Sequence, residues 1–336
     1  MTETAPAPIP PAPVTVLTGF LGAGKTTLLN RLLRDPALAD AAVLVNEFGE
    51  IGIDHLLIEK LDDDTVLLPS GCLCCSLRGD LVRALENLEQ RAPARVVVET
   101  TGLADPVPLV QTLMSHPLLI ARWRLDGIVT VISAIHGLAQ MDEHTTALRQ
   151  AAIADRIVVS KPDLADPAPL LARLAQLNPA AQAIVAARGD LPATALLDLG
   201  LFDASGKHAD VAAWLRESAL SRHIPAHDLQ GGRIQSFCLT WDEPLPWQGI
   251  GTCLEMMIGT QGERMLRVKG VLNLIGQDRP VAIHGVQHVF HEPVLLDAWP
   301  EGDDRRSRLV FITDGLDRSI VEQGFAAFID AARVLA

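Results

Sequence analysis

Residues 14–33, VTVLTGFLGAGKTTLLNRLL, run a β-branched stretch into a glycine-rich turn and then into a leucine-periodic helix. Gly19, Gly22, Gly24, Lys25 and Thr26 satisfy the spacing G-x-x-x-x-G-K-[ST], in the strand, loop and helix context that this spacing requires. An apolar strand precedes the loop and a Leu-rich helix follows it, so both parts of the required context are present. The glycines let backbone N–H groups curl around phosphates at a helix N-terminus. Lys25 brings a point charge to the β and γ oxygens, and the Thr26 hydroxyl is suited to ligating Mg²⁺. Ala23 and Thr27 complete the expected nucleotide cradle. The plainer alternative is a glycine-rich turn without a ligand.

Further apolar runs follow at regular intervals: AAVLVN, ARVVVET, GIVTVIS, DRIVVS and AQAIVAA. They alternate with helical patterns such as LRGDLVRALENLEQ and PLLARLAQL, which predicts a mostly parallel sheet with helices on both faces. The texture changes after residue 222. SRHIPAHDLQGG reads as a linker, and RIQSFCLTW, MLRVKGVLNLI, PVAIHGVQHVF and SRLVFIT read as strands. A closing amphipathic helix carries Val321, Phe325 and Phe328 on one face. The expected organisation is a disordered Pro/Ala arm (1–13), a P-loop nucleotide domain (14–222), a linker (223–231) and a smaller α+β domain (232–336).

Base selection is expected at RIVVSKPDL. Ser160, Lys161 and Asp163 follow the pattern [N/T/S]-K-x-D, whose carboxylate accepts from the ring N–H and exocyclic amine of guanine. Adenine offers no such donor pair on that edge, and the carboxylate left unpaired would be costly. In VVVETTGLADP, Glu99 ends a strand and Gly102 lies three residues on, the spacing of an Asp-x-x-Gly nucleotide switch. The carboxylate can serve the Mg²⁺ shell or an attacking water, and the glycine N–H can sense the γ-phosphate. Glu99 as a simple cap is the alternative. VNEFGEIGID offers Asn46, Glu47 and Glu50 from a segment placed to act as a second switch.

PSGCLCCS holds three of the five cysteines, Cys72, Cys74 and Cys75. They are too close together for an unstrained disulfide. A turn after Gly71 could converge the three sulfurs, and a helix beginning near Ser76 would favour thiolates. Three soft ligands without a fourth neighbouring cysteine suit a transferable metal better than a closed structural zinc site. Buried turn cysteines or a redox sensor remain the alternatives. Cys238 and Cys253 read as small core residues. His284 and His288, placed four apart on one strand, would stand too far apart to share a zinc.

A formal charge of −13, from 28 basic and 41 acidic residues, argues against a nucleic-acid partner. No segment has the length of a membrane span or the pattern of a signal peptide. Clustered, odd-numbered cysteines fit a reducing compartment, so a cytoplasmic protein is expected.

In order, GFLGAGKTT, NEFGEIGID, GCLCC, ETTGLADP and SKPD resemble the CobW-like GTPases, relatives of the GTPases that insert nickel into urease and hydrogenase. RVKG and HGVQH in the second region are also similar to theirs. The resemblance implies a GTP-hydrolysing metallochaperone cycling between GTP and GDP with Mg²⁺. Lys25, Glu99 and Gly102 would act in hydrolysis. Zn²⁺, with Co²⁺ admitted beside it, would sit on Cys72, Cys74 and Cys75, with Glu47 and Glu50 as auxiliary ligands. An apo-metalloprotein client is implied, and metal-dependent self-association is compatible with it. The alternatives are a GTP-binding zinc buffer or redox sensor without delivery, and a cobalt, cobalamin or other metal-insertion accessory GTPase. A P-loop kinase is disfavoured by SKPD.

Overall fold

The structure is a computed structural model that describes residues 10–46, 65–68, 76–199 and 233–335. Its first half is a seven-stranded sheet, β1 (Ala12–Thr18), β2 (Ala41–Asn46), β3 (Thr65–Leu68), β4 (Arg95–Glu99), β5 (Trp123–Ser133), β6 (Arg156–Ser160) and β7 (Gln182–Ala186), in the spatial order β3-β2-β4-β1-β5-β6-β7. Every pairing in it is parallel. The helices are α1 (Lys25–Leu32), α2 (Ser76–Glu89), α3 (Val107–Ser115), α4 (Pro117–Ile120), α5 (Gly137–Glu143), α6 (Thr145–Ala152) and α7 (Ala168–Leu177). Two hydrophobic clusters form on opposite faces of the sheet. Val14, Val16, Val96 and Val98 pack with Leu81, Leu85 and Leu88 of α2, while Leu17, Val97 and Val131 pack with Leu28 and Leu29 of α1. Successive side chains along each strand therefore feed different layers, as a sheet buried on both faces requires.

β1 begins at Ala12, two residues inside the stretch expected to be a disordered arm. Ala12 and Pro13 pair with Trp123 and Arg124 of β5, whereas pairing with β4 starts only at Val14. Pro13 lacks an N–H and thus occupies the position where β1 has a neighbour on one side alone. β5 likewise starts at Trp123, ahead of the expected Gly127. The short strand β3 at the sheet edge has no counterpart among the expected runs.

The second half is antiparallel: β8 (Ile234–Trp241), β9 (Met265–Leu274), β10 (Gln277–Val286), β11 (Val289–Phe290), β12 (Val294–Leu295) and β13 (Ser307–Asp314), ordered β11-β10-β9-β13-β8 with β12 also on β10. α8 (Trp247–Gln261) and α9 (Arg318–Leu335) cover one face, where Phe237, Phe311, Cys253, Met257, Val321 and Phe325 form a core. Phe328 packs against that core only partly buried. The other face meets the first sheet's helices, and Ile234, Leu266, Val286 and Ile312 join the first half's hydrophobic cluster. The linker boundaries expected at 222–232 lie outside the described residues.

Candidate functional site

The carboxyl ends of β1, β4, β5 and β6 converge on the loop Gly19–Gly24, the side of an open parallel sheet where ligands bind. Gly19 has φ +141°, and a Cβ there would lie 2.2 Å from Val131 O, so only glycine fits. Gly24, at φ +99°, turns the chain into α1 and presents that helix's N-terminus to the loop. The Lys25 ammonium folds over the loop and donates to Gly19 O at 2.8 Å. From the carboxyl end of β6, Ser160 Oγ donates to Ala23 O at 2.6 Å and Lys161 Nζ, just beyond it, to Gly22 O at 2.7 Å. The SKPD segment thus fixes the shape of the phosphate loop.

Thr26 Oγ1 donates to Glu99 Oε1 across 3.2 Å, and Glu99 is 5% exposed at the end of β4. Two hard oxygens, one from the first turn of α1 and one from the end of β4, meet where one small cation would find both, a donor set that fits Mg²⁺. Gly102 presses on the phosphate loop from the other side; a Cβ on it would stand 2.7 Å from Leu21 N. Thr100 Oγ1, donating to Thr18 Oγ1 at 2.8 Å, joins the β4 and β1 ends.

Beside the loop lies a cavity of about 340 Å³ lined by Gly24, Thr27, Ser160, Lys161 and Asp163 together with Val131, Val158, Leu164, Arg188 and Gly189. Its size suits a planar base, and Asp163 is exposed to it. Arg188 and Gly189 were not singled out in the sequence. Both adopt left-handed backbone (φ +50° and +70°), and Gly189 packs on Leu28 of α1. The strand followed by A-R-G-D was the available signal.

Cys72, Cys74, Cys75, Glu47 and Glu50 lie outside the described residues, as do His223 and His227 of the expected linker. Among the described residues no group of three or more His, Cys, Asp or Glu side chains is arranged for a metal. α2 does begin at Ser76, immediately after Cys75. Cys253 is fully buried as expected, whereas Cys238 is only partly so.

The strand expected to carry both His284 and His288 is broken. β10 ends at Val286, Gln287 takes φ +51°, and the chain reverses into β11. The reversal brings His291 to 5.2 Å from His284, ring centre to ring centre, and puts His288 in the turn. A backbone hairpin, which the alternating apolar pattern conceals, decides this placement.

His284 belongs to a buried polar cluster between the two halves. Arg267, 1% exposed, pairs with Asp155 and donates to Ile153 O, and Asp155 also accepts from Ile128 N at 3.0 Å. Burial by itself would raise the Asp155 carboxyl, but Arg267 and the nearby Lys269 outweigh it and hold the group down at about 2. Burial pushes His284 well below the usual imidazole range, with Arg267 adding to it. His291 is lowered, also mainly by burial, to about 4.

Comparison with known proteins bears directly on this arrangement. The family description "CobW/HypB/UreG, nucleotide-binding domain" matches residues 13–185, and "Cobalamin synthesis protein cobW C-terminal domain" matches 234–329. The chain belongs to this CobW family. It is 35% identical to the zinc chaperone YjiA of Escherichia coli, over 94% of this chain and 98% of that one. It is 28% identical to the zinc-regulated GTPase metalloprotein activator 1 of Saccharomyces cerevisiae, over 93% and 82%. Among solved structures, zinc-bound YjiA GTPase superposes with a TM-score of 0.70 at 27% identity, covering 95% of this chain and 99% of that chain. This CobW-family chain thus follows its relatives over nearly its whole length, and the seven-stranded parallel sheet with a separate antiparallel domain is the expected α/β plus α+β plan. Among the described residues no helix is long and apolar enough to cross a membrane.

Proposed function

We propose that this protein is a GTP-hydrolysing zinc metallochaperone. The observation that carries the reading is the convergence, on one phosphate loop, of the Thr26–Glu99 oxygen pair and the SKPD-walled cavity. In it the backbone of Gly19, Gly22, Ala23 and Gly24 cradles the phosphates, and Lys25 neutralises the β and γ oxygens as charge develops. Thr26 and Glu99 would hold Mg²⁺, which would supply charge neutralisation to the phosphates. Gly102 senses the γ-phosphate, and Thr27, Ser160, Lys161 and Asp163 bound the guanine nucleotide. Zn²⁺ is the cargo, carried by Cys72, Cys74 and Cys75 with help from Glu47 or Glu50; Co²⁺ can occupy the same soft ligands. The zinc-chaperone names of the relatives support this choice of metal. The client is a cytoplasmic apo-metalloprotein; the acidic charge of −13 supports a cycle without nucleic acid.

The cysteines lie in sequence between the segment holding Glu47 and the segment Glu99–Gly102, so zinc affinity should follow nucleotide state. A coupling in the usual allosteric range of about 1–3 kcal/mol would appear as a roughly 5- to 150-fold change in zinc affinity, matched by the same factor in GTP affinity. Chelator competition with GDP, GTP and a non-hydrolysable analogue measures it, beside a protein with all three cysteines changed to serine. Equal zinc affinity in every nucleotide state, or undiminished tight binding in the serine protein, would refute the coupled cycle.

A further inference from the structure

The segment that leaves Glu99 is gripped from behind by two consecutive residues of α6. Gln150, 1% exposed, donates Nε2 to Ala104 O at 3.0 Å and to Gly102 O at 3.3 Å. Its own carbonyl accepts from Thr130 Oγ1 at 2.7 Å, which ties that turn of α6 to β5. Its Oε1 is buried and has no hydrogen-bond partner among the described residues. Next to it Arg149 divides its guanidinium between two carboxylates: Nη1 meets Asp105 Oδ2 at 3.3 Å, and Nη2 meets Asp314 Oδ2 at 2.8 Å. Asp105 starts α3 by accepting from Val107 N. Asp314, 2% exposed, closes β13 in the second domain and takes Arg233 Nε on its other oxygen. Gly102 is meanwhile packed on Leu21 of the phosphate loop.

We propose that Arg149 and Gln150 are positioning residues for GTP hydrolysis, Gln150 by holding the peptide groups of Gly102 to Ala104 against the phosphate loop and Arg149 by making the place of Asp105 depend on Asp314 in the second domain. This rests on the reading of Gly102 as the γ-phosphate sensor. A guanidinium shared at 3.3 Å and 2.8 Å has no slack: movement of the segment by an ångström forfeits the longer contact and leaves Arg149 on Asp314. Because coupling is reciprocal, whatever holds the second domain's β13 end also biases the segment beside the γ-phosphate. The second domain is thereby placed in the hydrolytic cycle without touching nucleotide.

The test uses the full chain and four variants: Arg149→Met, Arg149→Lys, Asp314→Asn and Gln150→Leu. Five quantities are read: kcat and KM for GTP, affinity for GDP, thermal stability, and backbone hydrogen exchange at 307–314 with GDP against a non-hydrolysable GTP analogue. Arg149→Met and Gln150→Leu should lower kcat about 10- to 100-fold, the cost of a small misplacement, with KM and GDP affinity within about 2-fold. The exchange difference at 307–314 should vanish in Arg149→Met and Asp314→Asn and partly return in Arg149→Lys. Unchanged kcat, an intact exchange difference in both Arg149→Met and Asp314→Asn, or a kcat loss matched by an equal loss of GDP affinity and thermal stability would overturn the proposal. A wild-type chain that neither binds nor hydrolyses GTP would instead overturn the nucleotide reading beneath it.

Discussion

Lowering the pH from 7 to 5 should loosen the seam between the two halves, because His284 and His291 are folded in their neutral forms. Both imidazoles titrate lower in the folded protein than in the unfolded chain, His291 at about 4. Below about pH 6.5 the unfolded chain therefore binds more protons, and stability falls with pH until the folded imidazoles themselves titrate. Each histidine that stays neutral costs roughly 1.4 kcal/mol per pH unit below 6.5, or about 2 kcal/mol between pH 7 and pH 5. Two would sum to about 4 kcal/mol, an upper bound because His291 is partly exposed. Arg267 and Lys269 oppose protonation, and Asp155 favours it without titrating in this window, since its own group is held at about 2. Urea unfolding at half-unit pH steps gives the slope, and His284→Gln should remove about one proton's share of it. A free energy independent of pH between 7 and 5, or an unchanged slope in His284→Gln, would refute the argument.

Three further outcomes are expected. Lys25→Ala should cut GTP turnover by at least about 100-fold in a phosphate-release assay, because the charge opposite the developing γ-phosphate charge is gone. Asp163→Asn should reduce the preference for GTP over ATP in competition binding by about 10-fold or more, since the paired acceptor for guanine becomes half donor. Gly102→Ala forces a methyl to 2.7 Å from Leu21 N; the overpacking should cost about 1–3 kcal/mol in thermal unfolding and slow hydrolysis more than it weakens GDP binding.

Much of the candidate site was legible because it is written in contiguous stretches. GFLGAGKTT specifies a loop by the backbone angles it needs, and ETTG and SKPD each sit at the end of an apolar run, where a parallel sheet must deliver them to the same edge. Arg188 and Gly189 escaped notice because their part in the cavity comes from left-handed backbone after β7 packing on α1, not from a residue type. The histidines misled because an apolar alternation continues through Gln287 while the backbone turns there. A strand pattern records which face a side chain takes, not where the strand ends.

By itself the sequence determined the local vocabulary: a glycine-rich loop between strand and helix, a mostly parallel sheet with helices on both faces, a later and smaller α+β half, and the order of the motifs along the chain. Spacing and periodicity act over a few residues, and chain order is enough to place a strand's carboxyl end. Tertiary structure alone decided the seam, where Arg267 of β9 finds Asp155 ahead of β6, His291 folds back on His284, and Arg149 stands between Asp105 and Asp314. Those partners are 112, 7, 44 and 165 positions apart. The burial that makes each pairing consequential arises only when the second sheet closes over α6, and no local pattern encodes that desolvation.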